Sequence, residues 1–344
     1  MALKQVLHRI EQPRPWQKLL SEDEAHERFE VETADGSFLT IRRVRPHPER
    51  EERAKPPVML LHGLGANHQT FLFPERSIAH WLAEQGRDVF VPDLRGHGDS
   101  IPCDYHWGLD EYLCDDLPEI ITSILDISGQ DRVDWVGHSM GGVLLMCYGA
   151  LYPDAPIASG VAIASAIDYG VGASNFANLA AIRPLIEPLS KPAEIVPFGG
   201  LMHLLAPALG KRPFLLERFN MWPENIEPWV MRRIHARCFH AIPATLLLSL
   251  ASTFEDSGFR LRTGESLRDR AMQFEPPLHI LAGTRDTQVS IKAIEATCDR
   301  VGANASFEIF GKQHGQREDY GHFDLILGRH AQDEVWPRLE ASLS

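Results

Sequence analysis

Gly137-His138-Ser139-Met140-Gly141 constrains this chain more than any other stretch, because of what flanks it. Asp131 to Val136 before it is strand-like, and Gly142 to Leu151 after it is helix-like. Strand, Gly-x-Ser-x-Gly, helix is the layout of a nucleophile elbow, a sharp turn that lifts a serine clear of the backbone. Glycine is required where a side chain would strike the adjoining strand and helix. The turn also points backbone N–H groups at a helix N-terminus toward the serine oxygen. Acyl transfer needs that pairing of exposed nucleophile and fixed donors. The pentapeptide alone is a weak constraint, so its partners must be found elsewhere in the chain.

A nucleophilic serine needs a histidine to take its proton and a carboxylate to orient that histidine. In this layout the chain order is Ser, then Asp or Glu, then His. Downstream, the apolar run Leu278 to Ala282 ends in Gly283-Thr284-Arg285-Asp286, which makes Asp286 the candidate acid. Tyr320-Gly321-His322-Phe323-Asp324 follows, and His322 is the candidate base. His314 in the same region is the rival base. Asp168 is a rival acid, and Asp324 is read as a helix cap. His138 is read as a packing residue whose side chain points away from the nucleophile. An oxyanion needs two N–H donors. Met140 supplies one, and Leu64 in the turn His62-Gly63-Leu64-Gly65 supplies the other. The Gly-rich turn Asp93 to Ser100 lacks a phosphate-binding spacing and reads as a buttress of the site.

Short unbroken apolar runs suit strands buried on both faces of a parallel sheet. They occur at Val58–Leu61, Asp88–Pro92, Val133–Val136, Val161–Ala164, Leu278–Ala282 and Phe307–Phe310. Helix-length stretches with apolar residues three and four apart lie between them, such as Ile78–Ala83 and Leu113–Ile127, the latter ended by Gly129. The alternation predicts an α/β fold with a mostly parallel, doubly wound sheet. Residues 28–45 predict an antiparallel hairpin turning at Asp35-Gly36. Ligands of such sheets bind at the carboxyl ends of the strands. His62, Asp93, Ser139 and Asp286 all fall just past such ends. The rhythm breaks between Asp168 and Phe274, where Asn178–Ile182, Pro197–Leu205 and Phe214–Leu216 read as short, proline-punctuated helices. The expected organisation is an N-terminal segment 1–27, a core of 28–167 plus 274–344, and a helical cap inserted at 168–273.

The chain has 344 residues and a net charge of −13. That acidity argues against nucleic acid and anionic membranes as partners. No apolar run is long enough for a membrane span; Ala241–Ser252 is too short and contains Pro243. The first 30 residues lack a signal-peptide pattern. Five scattered cysteines without CxxC spacing read as free thiols, so the chain is expected to be cytoplasmic. No metal or organic cofactor is expected, and the expected partner is a small apolar ester. The oligomeric state is not legible.

With these residues in hand, the chain resembles the α/β-hydrolase fold superfamily. The resemblance rests on His62-Gly63-Leu64-Gly65, Asp93 to Ser100, Gly137 to Gly142, Gly283 to Asp286 and Gly321-His322. Thr33 to Thr40 and Tyr320 to Gly328 further resemble the acid-lipase-like branch, which implies hydrolysis of carboxylic or lipid esters. Polyhydroxyalkanoate synthases share a similar tail but carry cysteine as the nucleophile, and Ser139 argues against that activity. The same triad also serves acyltransferases, thioesterases and C–C bond hydrolases. A non-catalytic ligand receptor on this fold is the remaining alternative.

Overall fold

The computed structural model describes residues 6–7, 9–10, 25–47, 49, 55–172, 174, 194–209, 215–254 and 258–344. Most of the N-terminal segment 1–27, the stretch Asn178–Ile182 and Phe214 lie outside the described residues.

The hairpin predicted for residues 28–45 forms as β1 (Glu27–Glu32) and β2 (Phe38–Val44), paired antiparallel. Gly36 takes φ +85° at its turn, a conformation a side chain would strain. The apolar runs become β3 (Val58–Leu61), β4 (Val89–Asp93), β5 (Val133–His138) and β6 (Ile157–Ile163). After a short antiparallel pair, β7 (Ile195–Val196) with β8 (Ile242–Pro243), the sheet resumes at β9 (Leu278–Gly283) and β10 (Ala305–Phe310). The large sheet has eight strands in the order β1-β2-β4-β3-β5-β6-β9-β10. β4 through β10 in that order run parallel, and β2 joins β4 antiparallel.

β3, β4 and β5 are buried along their whole length, as expected for strands covered by helices on both faces. One apolar layer holds Trp135, Leu144 and Ile120, and the opposite layer holds Leu60, Val91 and Leu325. Helix Leu117–Ser128 stops at Gly129, whose φ of +69° supplies the left-handed cap expected from the sequence. Helix Met140–Leu151 is buried on nearly every side.

From β3 the chain moves to β4 on one side, then crosses back to β5 on the other. The crevice between β3 and β5 is therefore the switch point of the sheet, where ligands of such folds lodge. Leu64 follows β3 and Ser139 follows β5. Between β6 and β9 the described residues include helices Phe198–Leu205, Pro228–Arg237 and Ala244–Ala251. No helix among the described residues is long and apolar enough to cross a membrane. The five cysteines are free.

Candidate active site

Ser139 has φ +53° and ψ −118°, a strained conformation for a residue with a side chain. Such backbone costs about 1–3 kcal/mol and persists only where neighbours enforce it. Here the neighbours are identifiable. Ser139 N–H donates to the Ile163 carbonyl at 2.8 Å. Its own carbonyl accepts from Gly142 N–H and Val143 N–H at 3.0 Å each, and from Ser165 Oγ at 2.8 Å. The two glycines of the motif have no room for a side chain. A Cβ on Gly137 would lie 2.2 Å from the Gly141 carbonyl oxygen, and one on Gly141 would lie 2.2 Å from that of Leu61.

The turn after β3 comes equally close, since a Cβ on Gly63 would sit 3.0 Å from that of Ser139. His62 braces this turn. Leu94 N–H donates to His62 Nε2 at 3.1 Å, so the ring proton is on Nδ1, which donates to the Gly63 carbonyl at 2.9 Å. Burial lowers the His62 pKa and keeps the ring neutral. Gly65 has φ +66°, and its carbonyl accepts from His240 N–H at 2.7 Å. Among the described residues, neither Leu64 N–H nor Met140 N–H donates to a backbone carbonyl.

His322 Nδ1 lies 2.8 Å from Asp286 Oδ2, and both side chains are 2% exposed. The other carboxylate oxygen, Oδ1, accepts from Gln288 N–H at 2.8 Å and Val289 N–H at 3.1 Å. The Asp286 carboxylate is thus fixed by its own turn, with one oxygen left for the imidazole. Ser139 is on the turn after β5, two strands over from β9 in the sheet, and among the described residues its hydroxyl has no direct hydrogen bond to His322. Nucleophile–base contacts are often looser in ligand-free structures than in the reacting complex.

The rival carboxylates are otherwise engaged, and the rival histidine is exposed. His314 is exposed on the turn Lys312–His314. Asp168 accepts from Arg300 Nε at 2.6 Å and from Gly170 N–H at 3.2 Å. Asp324 departs from the expected helix cap. It is the first residue of helix Asp324–Leu327, and its carboxylate reaches backwards and across the fold. Gly321 N–H donates to it at 2.8 Å, Trp222 N–H at 3.1 Å and Asn225 Nδ2 at 3.2 Å. It therefore ties the His322 loop to Trp222 and Asn225 in the stretch between β6 and β9. Complete burial without a cation pushes its pKa up to about 7, despite these donors.

Sequence reasoning left His138 as packing, and it does pack, with ring centroids 4.8 Å from His322 and 4.7 Å from Phe323. It also does more: Nε2 donates to the His322 carbonyl at 3.2 Å. Burial holds its pKa well below the ordinary value, so this proton is on a neutral ring. The Asp93 turn is a buttress. Asp93 is fully buried, and burial opposes its charge, but His68 and Arg42 outweigh that and hold its pKa well below the usual range. His68 Nδ1 donates to it at 2.8 Å and Arg42 Nη1 at 2.6 Å. A Cβ on Gly98 would lie 1.9 Å from Asp93 Oδ2, so the turn closes only with glycine.

A cavity of about 400 Å³, including its open mouth, adjoins Ser139. Leu64, Met140 and Val143 form its core side. Tyr169, Leu250, Thr253, Phe254 and Phe259, all between β6 and β9, form the other. Tyr169 meets Phe254 and Phe259 edge-on, each with centroids 6.1 Å apart. No group of three His, Cys, Asp or Glu side chains among the described residues is arranged to hold a metal ion.

This sheet order and elbow define the α/β-hydrolase fold. A family profile described as alpha/beta hydrolase fold matches residues 56–182. A second, described as a partial alpha/beta-hydrolase lipase region, matches residues 22–74. The chain has the α/β-hydrolase fold. A thermophilic esterase from Thermogutta terrifontis superimposes with a TM-score of 0.61 at 19% identity, over 92% of this chain and 97% of that one. In sequence the chain is similar to Lipase 3 of Drosophila melanogaster, 34% identical over 128 residues, or 33% of this chain and 32% of that protein. It is also similar to human Lipase member K, 36% identical over 131 residues, or 34% of this chain and 32% of that protein. The chain thus matches about a third of the length of these curated relatives.

Proposed function

We propose that this chain is a serine carboxylic-ester hydrolase of the esterase and lipase type, acting on small apolar esters. One observation carries the reading: a strained serine opens onto an apolar cavity, at the same strand ends as a buried histidine–aspartate pair joined at 2.8 Å. The similarity to named lipases supports the same chemistry.

In this reading Ser139 Oγ attacks the ester carbonyl. His322 Nε2 takes the hydroxyl proton and returns it to the leaving alcohol. Asp286 holds the proton on His322 Nδ1, so that Nε2 is the free base, and stabilises the imidazolium. Leu64 N–H and Met140 N–H receive the oxyanion. Water then repeats the sequence on the acyl-enzyme, with His322 again as base. These protein groups suffice for the reaction without a cofactor. Residues 168–273 act as the cap, supplying the apolar wall against which the substrate chain lies and excluding water from it. The free thiols support a reducing, cytoplasmic compartment.

The test is steady-state hydrolysis of p-nitrophenyl esters of graded chain length, beside matched thioesters and amides. The reading requires ester turnover that falls by at least ~10⁴-fold in Ser139→Ala. Ester turnover retained in that variant removes Ser139 from the chemistry.

A further inference from the structure

Asp286 and His322 come from separate loops, yet their facing oxygen and nitrogen meet at 2.8 Å. Their chain neighbours show what keeps the two loops in register. On the N-terminal side the loops touch directly, since Arg285 N–H donates to the Tyr320 carbonyl at 2.7 Å. On the C-terminal side the link runs through a third segment, Phe219-Asn220, from the stretch between β6 and β9.

Gln288 begins that link. It is 3% exposed, and its own N–H holds Asp286 Oδ1 at 2.8 Å. Its carboxamide Nε2 donates to the Phe219 carbonyl at 3.0 Å and to Asn220 Oδ1 at 3.2 Å. Asn220 completes it. Its carbonyl accepts at 2.9 Å from the N–H of Phe323, the residue after His322. Asn220 is buried too, and its Nδ2 has no hydrogen-bond partner among the described residues, so its side chain serves the link through oxygen alone. The segment lies hard against the base's loop, for a Cβ on Gly321 would sit 2.7 Å from Trp222 N. Arg285, next to the acid, also stacks its guanidinium on Trp222, 4.9 Å from the ring centroid.

We propose that Gln288 and Asn220 are positioning residues for the acid–base pair. They close the C-terminal side of a clasp whose N-terminal side is the Arg285–Tyr320 bond. Reacting groups must be held within about 0.5 Å by buried supporting contacts, and a misplacement of about 1 Å costs on the order of 100-fold in rate. With the clasp open, Asp286 and His322 lose their common frame, and the proton is no longer enforced on Nδ1. The inference rests on the ester-hydrolase reading. It adds that the stretch between β6 and β9, besides walling the cavity, sets the tautomer of the base.

The experiment uses Gln288→Met, which keeps the side chain's length without its donors, and Asn220→Ala, which removes the acceptor. Circular dichroism checks folding, and Asn220→Ala, the smaller change, carries the test if Gln288→Met does not fold. One readout is kcat and KM for p-nitrophenyl butyrate. The other is the His322 tautomer, from NMR of the imidazole nitrogens in histidine-labelled protein at about pH 8, where the ring is neutral. His322→Gln assigns the signals. Wild type is expected to hold His322 as the Nδ1–H form. The variants are expected to show a mixture of both tautomers, with kcat lower by about 10-fold or more and KM changed by less than about twofold. A kcat loss with the tautomer unchanged marks a merely structural role and overturns the inference, as does an unchanged kcat in a folded variant. Absence of ester turnover in wild type counts against the ester-hydrolase reading, and the tautomer then decides the clasp by itself.

Discussion

His322 Nδ1 donates to Asp286 Oδ2 at 2.8 Å, and the two Asp286 oxygens divide their labour. Oδ1 is held by the N–H groups of Gln288 and Val289, so the carboxylate cannot swing away from the ring. This bond fixes the imidazole tautomer and leaves Nε2 as the basic nitrogen. Asp286→Asn keeps the shape but offers an N–H where an acceptor is needed. Its kcat is expected to fall by about 10⁴-fold. Steady-state kinetics with circular dichroism to verify folding checks this, and a loss below tenfold would take Asp286 out of the proposed role.

His322→Ala is expected to abolish most turnover, while His314→Ala leaves it near wild type. His314 is exposed on its turn, away from the acid's pairing oxygen. Parallel rate measurements on the two variants decide, and the opposite ranking would reassign the base.

His138 donates to the His322 carbonyl at 3.2 Å, and in the proposed mechanism this steadies the base through the main chain. His138→Phe keeps an aromatic ring against His322 and Phe323 but removes that bond. Because small misplacements of a catalytic group are costly, kcat is expected to drop about 10–100-fold with KM little changed. Equal kcat in variant and wild type would reduce His138 to packing alone.

Asp324 makes stability depend on pH. Its folded pKa of about 7 lies above the ordinary value of 3.8, so the native state binds the proton more tightly than the unfolded chain. The stabilisation is complete below about pH 4 and is lost as pH rises toward 7. Asp324→Asn does not titrate. The difference in urea midpoint, wild type minus variant, should therefore shrink between pH 5 and pH 8; a widening difference would contradict the shift. Loosening of the Gly321–His322 loop should also lower kcat in this variant.

The core strands were legible because short, mostly apolar runs stand between turn signals. The β1–β2 hairpin was legible because its alternation flanks Asp35-Gly36, and the elbow because Gly137 and Gly141 stand where no side chain fits. Asp324 misled for a physical reason. Two residues from His322 and at a helix start, it has the local signature of a cap, yet its partners Trp222 and Asn225 are about a hundred residues away. His138 likewise shows its second role only when a loop 184 residues distant folds onto it. The cavity wall at Leu250, Phe254 and Phe259 had no sequence signal, since isolated apolar residues there read as ordinary core. The reading of Asn178–Ile182 as a helix lies outside the described residues.

The most direct test of the central claim is covalent labelling with a fluorophosphonate, followed by intact-mass and peptide mapping. Wild type is expected to take up one equivalent on Ser139, and His322→Ala to label far more slowly at the same residue. A wild-type adduct elsewhere, or equal labelling rates in the two proteins, would contradict the account.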